Sequence, residues 1–507
     1  MKILLTTLNS KYVHSSLALK YLYSVIAESE LDIELKEFTI NNDDNYIYTE
    51  LARANYDLVC FSCYIWNIEK IKDICSNLKK ARPNIKIMVG GPEVSYCSKE
   101  YMEENPAVDY VLKGEGEYPL FQFCKAIVLE QEDLSKVPAL VYRDGEKIIE
   151  NQNGPLPDFD RIPFPYQLLD CEEDKVLYYE ASRGCPYRCS YCLSSIDKSI
   201  RTLNLERVRR DLGYFLYKKV KQVKFIDRTF NFNSERAISI WQYLIENDNG
   251  ITNFHFEICG ELLDDASLSV IEKARKGLFQ FEIGIQSANP MALKAVNRNE
   301  NIYPILYNVE RLLRIGNSHI HVDLIAGLPY EDYISFGRSF DKVYGLHADN
   351  LQLGFLKLLK GTEIRKNAKQ HEYVFRDKAP YEIISSKYMS SVDLIKLKMI
   401  ENVLDLYYNK GGFGSTIDYL EGVIGKSPFN FYEQLADFYY SNGFQDRSHK
   451  KENLYRILYK FSLTKDKEGT ELSEKAKQLL EKDLEENMNF DAVKKFHKKG
   501  WDIEKGV

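Results

Sequence analysis

No apolar run in this chain approaches the ~20 residues that a membrane-spanning helix needs, so no bilayer span is expected. The first residues, Met1–Leu8, run straight into a strand-like pattern without a cleavage site, and export is not expected either. Ten cysteines among 507 residues are too few for a disulfide scaffold. The net charge of -7 comes from interleaved acidic and basic residues. A nucleic-acid partner is therefore not expected, because such proteins carry a broad basic field. What remains is a globular chain, 44% hydrophobic and too long for one core, so two or three domains are expected.

Three of the cysteines are crowded together. Ala181-Ser-Arg-Gly-Cys-Pro-Tyr-Arg-Cys-Ser-Tyr-Cys192 places Cys185, Cys189 and Cys192 within eight residues, immediately after the strand-like run Lys175–Glu180. Thiolates so close in sequence can hold three irons of one iron-sulfur cube and leave the fourth iron open to another ligand. A zinc site would need a fourth donor, and the nearest other cysteines, Cys171 and Cys259, are single. Three buried structural cysteines are the plain alternative. Thiolates require reducing surroundings, which places the chain in the cytoplasm.

The C-x-x-x-C-x-x-C spacing, with an aromatic before the last cysteine, resembles the signature loop of radical S-adenosylmethionine (SAM) enzymes. The resemblance implies a 4Fe-4S cluster on Cys185, Cys189 and Cys192, with Tyr191 beside the adenine of SAM. The open iron would chelate SAM, and an electron from the cluster would cleave it to a 5′-deoxyadenosyl radical. An external electron donor such as flavodoxin or ferredoxin is implied with it.

Over residues 1–135 short apolar runs alternate with amphipathic helical stretches, the pattern of a doubly wound, Rossmann-like parallel sheet. Strands are expected at Ile3–Thr7, Ile33–Phe38, Leu58–Ser62, Ile85–Val89 and Tyr110–Leu112, with helices such as 17–28 and 68–80 between them. Ligands of such sheets bind beyond the carboxyl ends of the strands. Candidate residues there are His14, Ser15, Ser16, Tyr64, Trp66, Gly90, Gly91, Glu93, Gly114 and Glu115. Glycines let the backbone approach a flat ligand, and the two aromatics can pack on it. A single-domain response-regulator-like module would look similar. Upstream of a radical SAM loop, Gly90-Gly91-Pro92 and Gly114-Glu115-Gly116-Glu117 resemble the cobalamin-binding domain of one large radical SAM subgroup. That subgroup implies cobalamin as a further cofactor. The D-x-H-x-x-G of proteins that ligate cobalt through histidine is absent, for Tyr12 and Leu17 flank His14 at the Asp and Gly positions. Base-off binding without a protein ligand to cobalt is expected.

Residues 136–170 read as a hairpin around Asp144-Gly145 followed by a proline-bearing, extended linker. Residues 171–375 alternate strand and helix at the longer pitch of a parallel barrel, and the six expected strands suit the partial (β/α)6 barrel of radical SAM enzymes. By resemblance, Asp227 stands at the SAM amino-group position, although the usual Gly-Gly-Glu is missing. Glu257, Gln286, Ser287 and Asp323 complete the SAM-binding candidates at the ends of successive strands. No catalytic residue is singled out.

Residues 376–507 change to helices rich in Tyr, Lys and Glu, expected at 392–408, 429–440 and 472–488, with no metal or nucleophile motif. Aromatics such as Tyr407, Phe413 and Tyr432 read as core or, alternatively, as a pocket lining. The subgroup implies methylation of an unactivated carbon of an unidentified substrate. Ring closure or rearrangement with the same cofactors is the alternative within the class, and a non-catalytic cobalamin or redox sensor the alternative outside it.

Overall fold

The computed structural model describes residues 1–27, 31–128, 133–169, 171–197, 199–299, 301–466 and 471–502. The chain divides into two units. The first comprises Met1–Phe281 with Lys357–Ala368 and Phe375–Glu382, and the second Glu282–Leu356 with Lys369–Val374 and Ile383–Val507.

The first sheet contains β1 (Lys2–Asn9), β2 (Asp32–Thr39), β3 (Leu58–Ser62), β4 (Lys86–Gly90), β5 (Tyr110–Leu112), β6 (Leu140–Asp144) and β7 (Lys147–Glu150), in the order β2-β1-β3-β4-β5-β6-β7. The first five are parallel. Leu4 and Leu8 of β1 pack into one hydrophobic cluster with Ile71 and Leu78, while Ile3 and Leu5 pack into another with Leu19 and Phe123. Both faces are thus covered, which is why these strands read as continuous apolar runs. The expected helix 17–28 runs Leu17–Ile26 under a Ser16 N-cap, and Glu28 lies outside the described residues.

The hairpin around Asp144-Gly145 is part of the first sheet. β6 pairs antiparallel with β5 and with β7, extending the sheet with Leu140 and Val141 fully buried. It covers the backbone groups that β5 would otherwise expose at an edge. The linker is likewise pinned, since Phe159, Ile162, Phe164 and Tyr166 are buried and Arg207 donates to the carbonyls of Phe159, Asp160 and Ile162.

The remaining strands are β8 (Leu177–Tyr179), β9 (Ser182–Arg183), β10 (Arg201–Thr202), β11 (Gln222–Phe225), β12 (Asn253–Ile258), β13 (Phe279–Gln286), β14 (His319–Ala326) and β15 (Asn350–Phe355). In the first unit β12, β11 and β8 are neighbours in that order, and in the second β15 neighbours β14. β8, β11 and β12 belong to the first unit, β14 and β15 to the second, and the division falls within β13. The strand pairs β8/β11, β11/β12 and β14/β15 are parallel. β13 and β14 bury alternate residues: Phe279, Phe281, Ile283 and Ile285 on β13, Ile320, Val322 and Leu324 on β14. This leaves Gln286 and Asp323 on the half-buried face of their own strands, as Glu257 is on β12.

The second unit ends in helices Ser391–Leu404, Gly414–Ile424, Pro428–Ser441, Lys451–Lys465, Leu472–Asn487 and Phe490–Lys499, close to expectation. Tyr407, Phe413, Phe431, Tyr432 and Tyr439 are buried, so these aromatics are core. Among the described residues no helix is long and apolar enough to cross a membrane.

Candidate functional site

In the strand order β2-β1-β3-β4-β5 the order in which strands are added reverses between β1 and β3, and a crevice opens at that switch beyond the carboxyl ends. A cavity of about 580 Å³ lies there, lined by His14, Ser15, Ser16, Tyr64, Trp66, Gly90, Gly91, Gly114 and Glu115. All the N-terminal candidates except Glu93 therefore meet in one place. Tyr178, Glu180, Arg183 and Arg228 also line it, and the sequence reading missed them. They lie on or just after β8, β9 and β11, and the available signal was their position at strand ends beside the cysteine loop.

Several local devices shape this cavity. Asn67 is buried, its amide 3.1 Å from Thr7 Oγ1 and from the carbonyls of Leu8 and Ser62, so one side chain ties the loop after β3 to β1. The Tyr64 and Trp66 rings stack with centroids 4.5 Å apart and 4° between planes, and Trp66 Nε1 donates to the Leu8 carbonyl. At Gly91 (φ +101°) a Cβ would fall 2.6 Å from the Cys63 carbonyl oxygen, so only glycine lets the two loops close up. A flat ligand fits such a cradle of glycine backbone and aromatic face.

His14 Nδ1 and Tyr178 Oη lie 2.6 Å apart. Burial, reinforced by Lys11, Lys224 and Lys175, lowers the histidine pKa, while burial pushes the Tyr178 phenol up to about 12. The imidazole is thus neutral, and its Nδ1 is engaged with the phenol, as acceptor or donor according to the tautomer. Ser16 Oγ caps the following helix, and Ser15 Oγ donates to the Val176 carbonyl, so both hydroxyls hold the wall of the cavity.

A charge cluster closes one side. Arg183 donates to Glu180, to Glu115 (2.8 Å) and to Glu117 (2.5 Å), and Arg201 also pairs with Glu115. Three carboxylates face two guanidiniums in a mostly dry setting. Burial pushes Glu180 up to about 7 despite the pull of Arg183.

The cysteine loop begins where Arg183 pairs with Arg201 and Ser182 with Thr202, in antiparallel register. Gly184 (φ +94°) could not carry a Cβ, which would lie 1.9 Å from the Ser199 carbonyl oxygen. Asp227 accepts from Ala181 N (2.9 Å) and Ser182 Oγ (2.5 Å), which commits both its oxygens to anchoring the start of this loop. Burial raises its pKa to about 6. Cys185 and Cys189 are buried and Cys192 half-buried, and none of the ten cysteines is in a disulfide. Tyr191 is half-buried within the same loop. Among the described residues no three His, Cys, Asp or Glu side chains converge on a point that a single metal ion could take. On a four-iron cube each thiolate binds a different iron, so the three need not meet at a point. Three soft donors from one loop, two of them shielded from water, fit that group.

The other candidates divide. Glu93 is 1% exposed and accepts from Tyr381 Oη at 2.8 Å, away from the cavity. Ser287 is also fully buried, donating to Glu331 Oε1 at 2.7 Å, where Ser339 donates as well. Gln286 ends β13 with φ +73°, and its Oε1 is buried without a hydrogen-bond partner among the described residues.

Residues 3–123 match the family described as B12 binding domain, residues 179–343 the Radical SAM superfamily, and residues 369–503 a family described as Protein of unknown function (DUF4080). The cobalamin-dependent radical SAM methyltransferase TokK of Streptomyces tokunonensis is 25% identical over 348 residues, 63% of this chain and 50% of that protein. The anaerobic magnesium-protoporphyrin IX monomethyl ester cyclase of Synechocystis is 26% identical over 242 residues, 44% of this chain and 46% of that protein. The chain thus spans about half the length of these relatives. The structure of the cobalamin-dependent S-adenosylmethionine radical enzyme OxsB shares the fold, with a TM-score of 0.67 at 16% identity over 99% of this chain and 83% of that one. The chain thus carries a match to a B12 binding domain followed by a match to the Radical SAM superfamily, the two domains that its relatives' names call for.

Proposed function

We propose that this protein is a cobalamin-dependent radical SAM enzyme that methylates an unactivated carbon of a substrate still to be identified. The observation that carries the reading is the shared cavity. One wall comes from the loops after β1, β3 and β4, and another from Tyr178, Glu180 and Arg183, next to the cysteine loop. In this reading residues 1–135 hold cobalamin, 171–375 the cluster and SAM, 136–170 join them, and 376–507 form the helical region. Cys185, Cys189 and Cys192 ligate a 4Fe-4S cluster. Bound there, the cluster supplies an electron for SAM cleavage and cobalamin a transferable methyl group.

The chain's own residues orient and shield these groups. Tyr191 and Glu257 contact SAM, the second from the half-buried face of β12, and resemblance assigns the same role to Gln286 and Asp323. Asp227 and Ser287 act indirectly, by fixing the cysteine loop and the turn after β13. The Tyr64–Trp66 pair and Gly91 receive the flat face of cobalamin. A flavodoxin or ferredoxin supplies electrons, and the cytoplasm provides reducing conditions.

Similarity to the cyclase favours one second reading, ring closure or rearrangement with the same cofactors. Anaerobic reconstitution with methyl-labelled SAM and cell extract, followed by mass spectrometry, separates the two. Methyl transfer gives a product carrying the label, whereas a product of altered mass without label, formed alongside deoxyadenosine, would favour rearrangement.

A further inference from the structure

We propose that Thr229 sets the reduction potential of the cluster by donating its side-chain hydroxyl to the Cys185 sulfur. The inference rests on the cluster reading above. Thr229 Oγ1 lies 3.5 Å from Cys185 Sγ, although the two residues come from different elements 44 positions apart. Both are buried, at 6% and 8% exposure, so no bulk water competes for the sulfur on that side.

The hydroxyl has one proton and two acceptors in reach, the Arg228 carbonyl at 2.8 Å and the sulfur. As a thiol, Cys185 is a weak donor and a weak acceptor. As an iron-bound thiolate it only accepts, and its charge makes it the stronger partner for the single proton. The threonine is held in place for this role. Phe230 N donates to the Glu257 carbonyl at 2.9 Å, and Phe232 N to the Thr229 carbonyl at 3.2 Å. Asp227, two residues earlier, is fixed to Ala181 and Ser182 at the start of the cysteine loop.

Reduction adds negative charge to the cluster and its sulfurs. A donor aimed at one sulfur stabilises that charge, more so in dry surroundings, and thereby raises the potential. Thr229 acts through Cys185 and is a positioning residue for the redox step.

The test is an anaerobic redox titration of the reconstituted full chain, followed by electron paramagnetic resonance, on wild type, Thr229→Val and Thr229→Ser. Valine keeps the branched shape without the donor, and serine keeps the donor. The Val variant, at wild-type iron content, is expected to titrate at a more negative potential, with the Ser variant near wild type. In D2O, electron–nuclear double resonance of the reduced wild type should show a strongly coupled exchangeable deuteron that the Val variant lacks. A Val variant titrating at or above the wild-type potential would overturn the inference. If that variant does not assemble a cluster, absence of the coupled deuteron in the wild type overturns it equally. Wild-type protein that binds no iron at all would instead overturn the cluster reading.

Discussion

The Tyr381 hydroxyl donates to the buried Glu93 carboxylate at 2.8 Å, joining residues 288 positions apart. Lys360, 3.5 Å from the Glu93 carbonyl, and Arg365, over the Tyr381 ring, brace the same spot. Burial raises the Glu93 pKa and the Tyr381 bond pulls it back, so Tyr381→Phe leaves a buried carboxyl group without its donor. Such a loss costs roughly 1–3 kcal/mol. We expect a lower melting temperature and loss of cobalamin on gel filtration, with iron content unchanged. Normal cobalamin retention in a destabilised variant would show that this contact does not support the loop after β4.

This contact illustrates what the sequence could and could not reveal. Strand positions were legible because β1, β3 and β4 are apolar on both faces, and β13 and β14 alternate with period two. Gly91 and the Tyr64–Trp66 pair were legible because a tight loop needs a residue tolerant of positive φ and a flat ligand needs a ring. The partner of Glu93 was not, because nothing local marks a tyrosine 288 residues away. For the same reason Asp227 and Ser287 look like ligand contacts at strand ends, yet their oxygens are committed to Ala181 and Ser182, and to Glu331. Recognising an acid at a strand end does not reveal whether it faces a cavity or its own chain.

Gly91 and Gly114 give a contrasting pair. Both have positive φ, so alanine strains either backbone, by ~1 kcal/mol. Only at Gly91 would the added carbon also meet backbone, at 2.6 Å from the Cys63 oxygen, whereas nothing lies within 4 Å of one at Gly114. Gly91→Ala should abolish cobalamin retention and Gly114→Ala should weaken it little. Comparable retention by both, measured by absorbance after desalting, would remove Gly91 from the site.

Replacing Cys185, Cys189 and Cys192 together with alanine should eliminate the iron and the visible absorption of the anaerobically purified protein. Cys171→Ala, outside the loop, should leave both unchanged. Iron retained in the triple variant, or lost in the Cys171 variant, would show that the ligands are other cysteines.

Glu331 is fully buried, and burial lifts its pKa from the ordinary 4.5 to about 7 against the pull of Ser287 and Ser339. Between those values the folded chain keeps a proton that the unfolded chain has released. Stability therefore falls as pH rises from about 4.5 to about 7 and levels off above. The full shift corresponds to about 3 kcal/mol. Glu331→Gln should lose less stability between pH 5 and pH 8 than wild type, by urea unfolding of the apoprotein. Equal losses would place the pH dependence elsewhere.

His14 decides how cobalt is held. In the tautomer in which Tyr178 donates to Nδ1, the imidazole carries its proton on Nε2, and that nitrogen has no lone pair for a metal. The lowered pKa keeps the ring neutral, and Lys11, Lys175 and Lys224 nearby would oppose any cationic form. A cobalt-ligating histidine has the opposite arrangement, with its second nitrogen donating to a carboxylate or carbonyl that raises its basicity. His14→Ala should therefore leave the visible spectrum of bound cobalamin nearly unchanged, while weakening retention through the lost contact in the cavity wall. Tyr178→Phe removes the partner of Nδ1, so the proton can sit on Nδ1 and leave the lone pair on Nε2. A spectral shift toward nitrogen-ligated cobalt should then appear in the Tyr178 variant and vanish in the double variant with His14→Ala. A large spectral change in the single His14→Ala protein would mean that the histidine already ligates cobalt in the wild type.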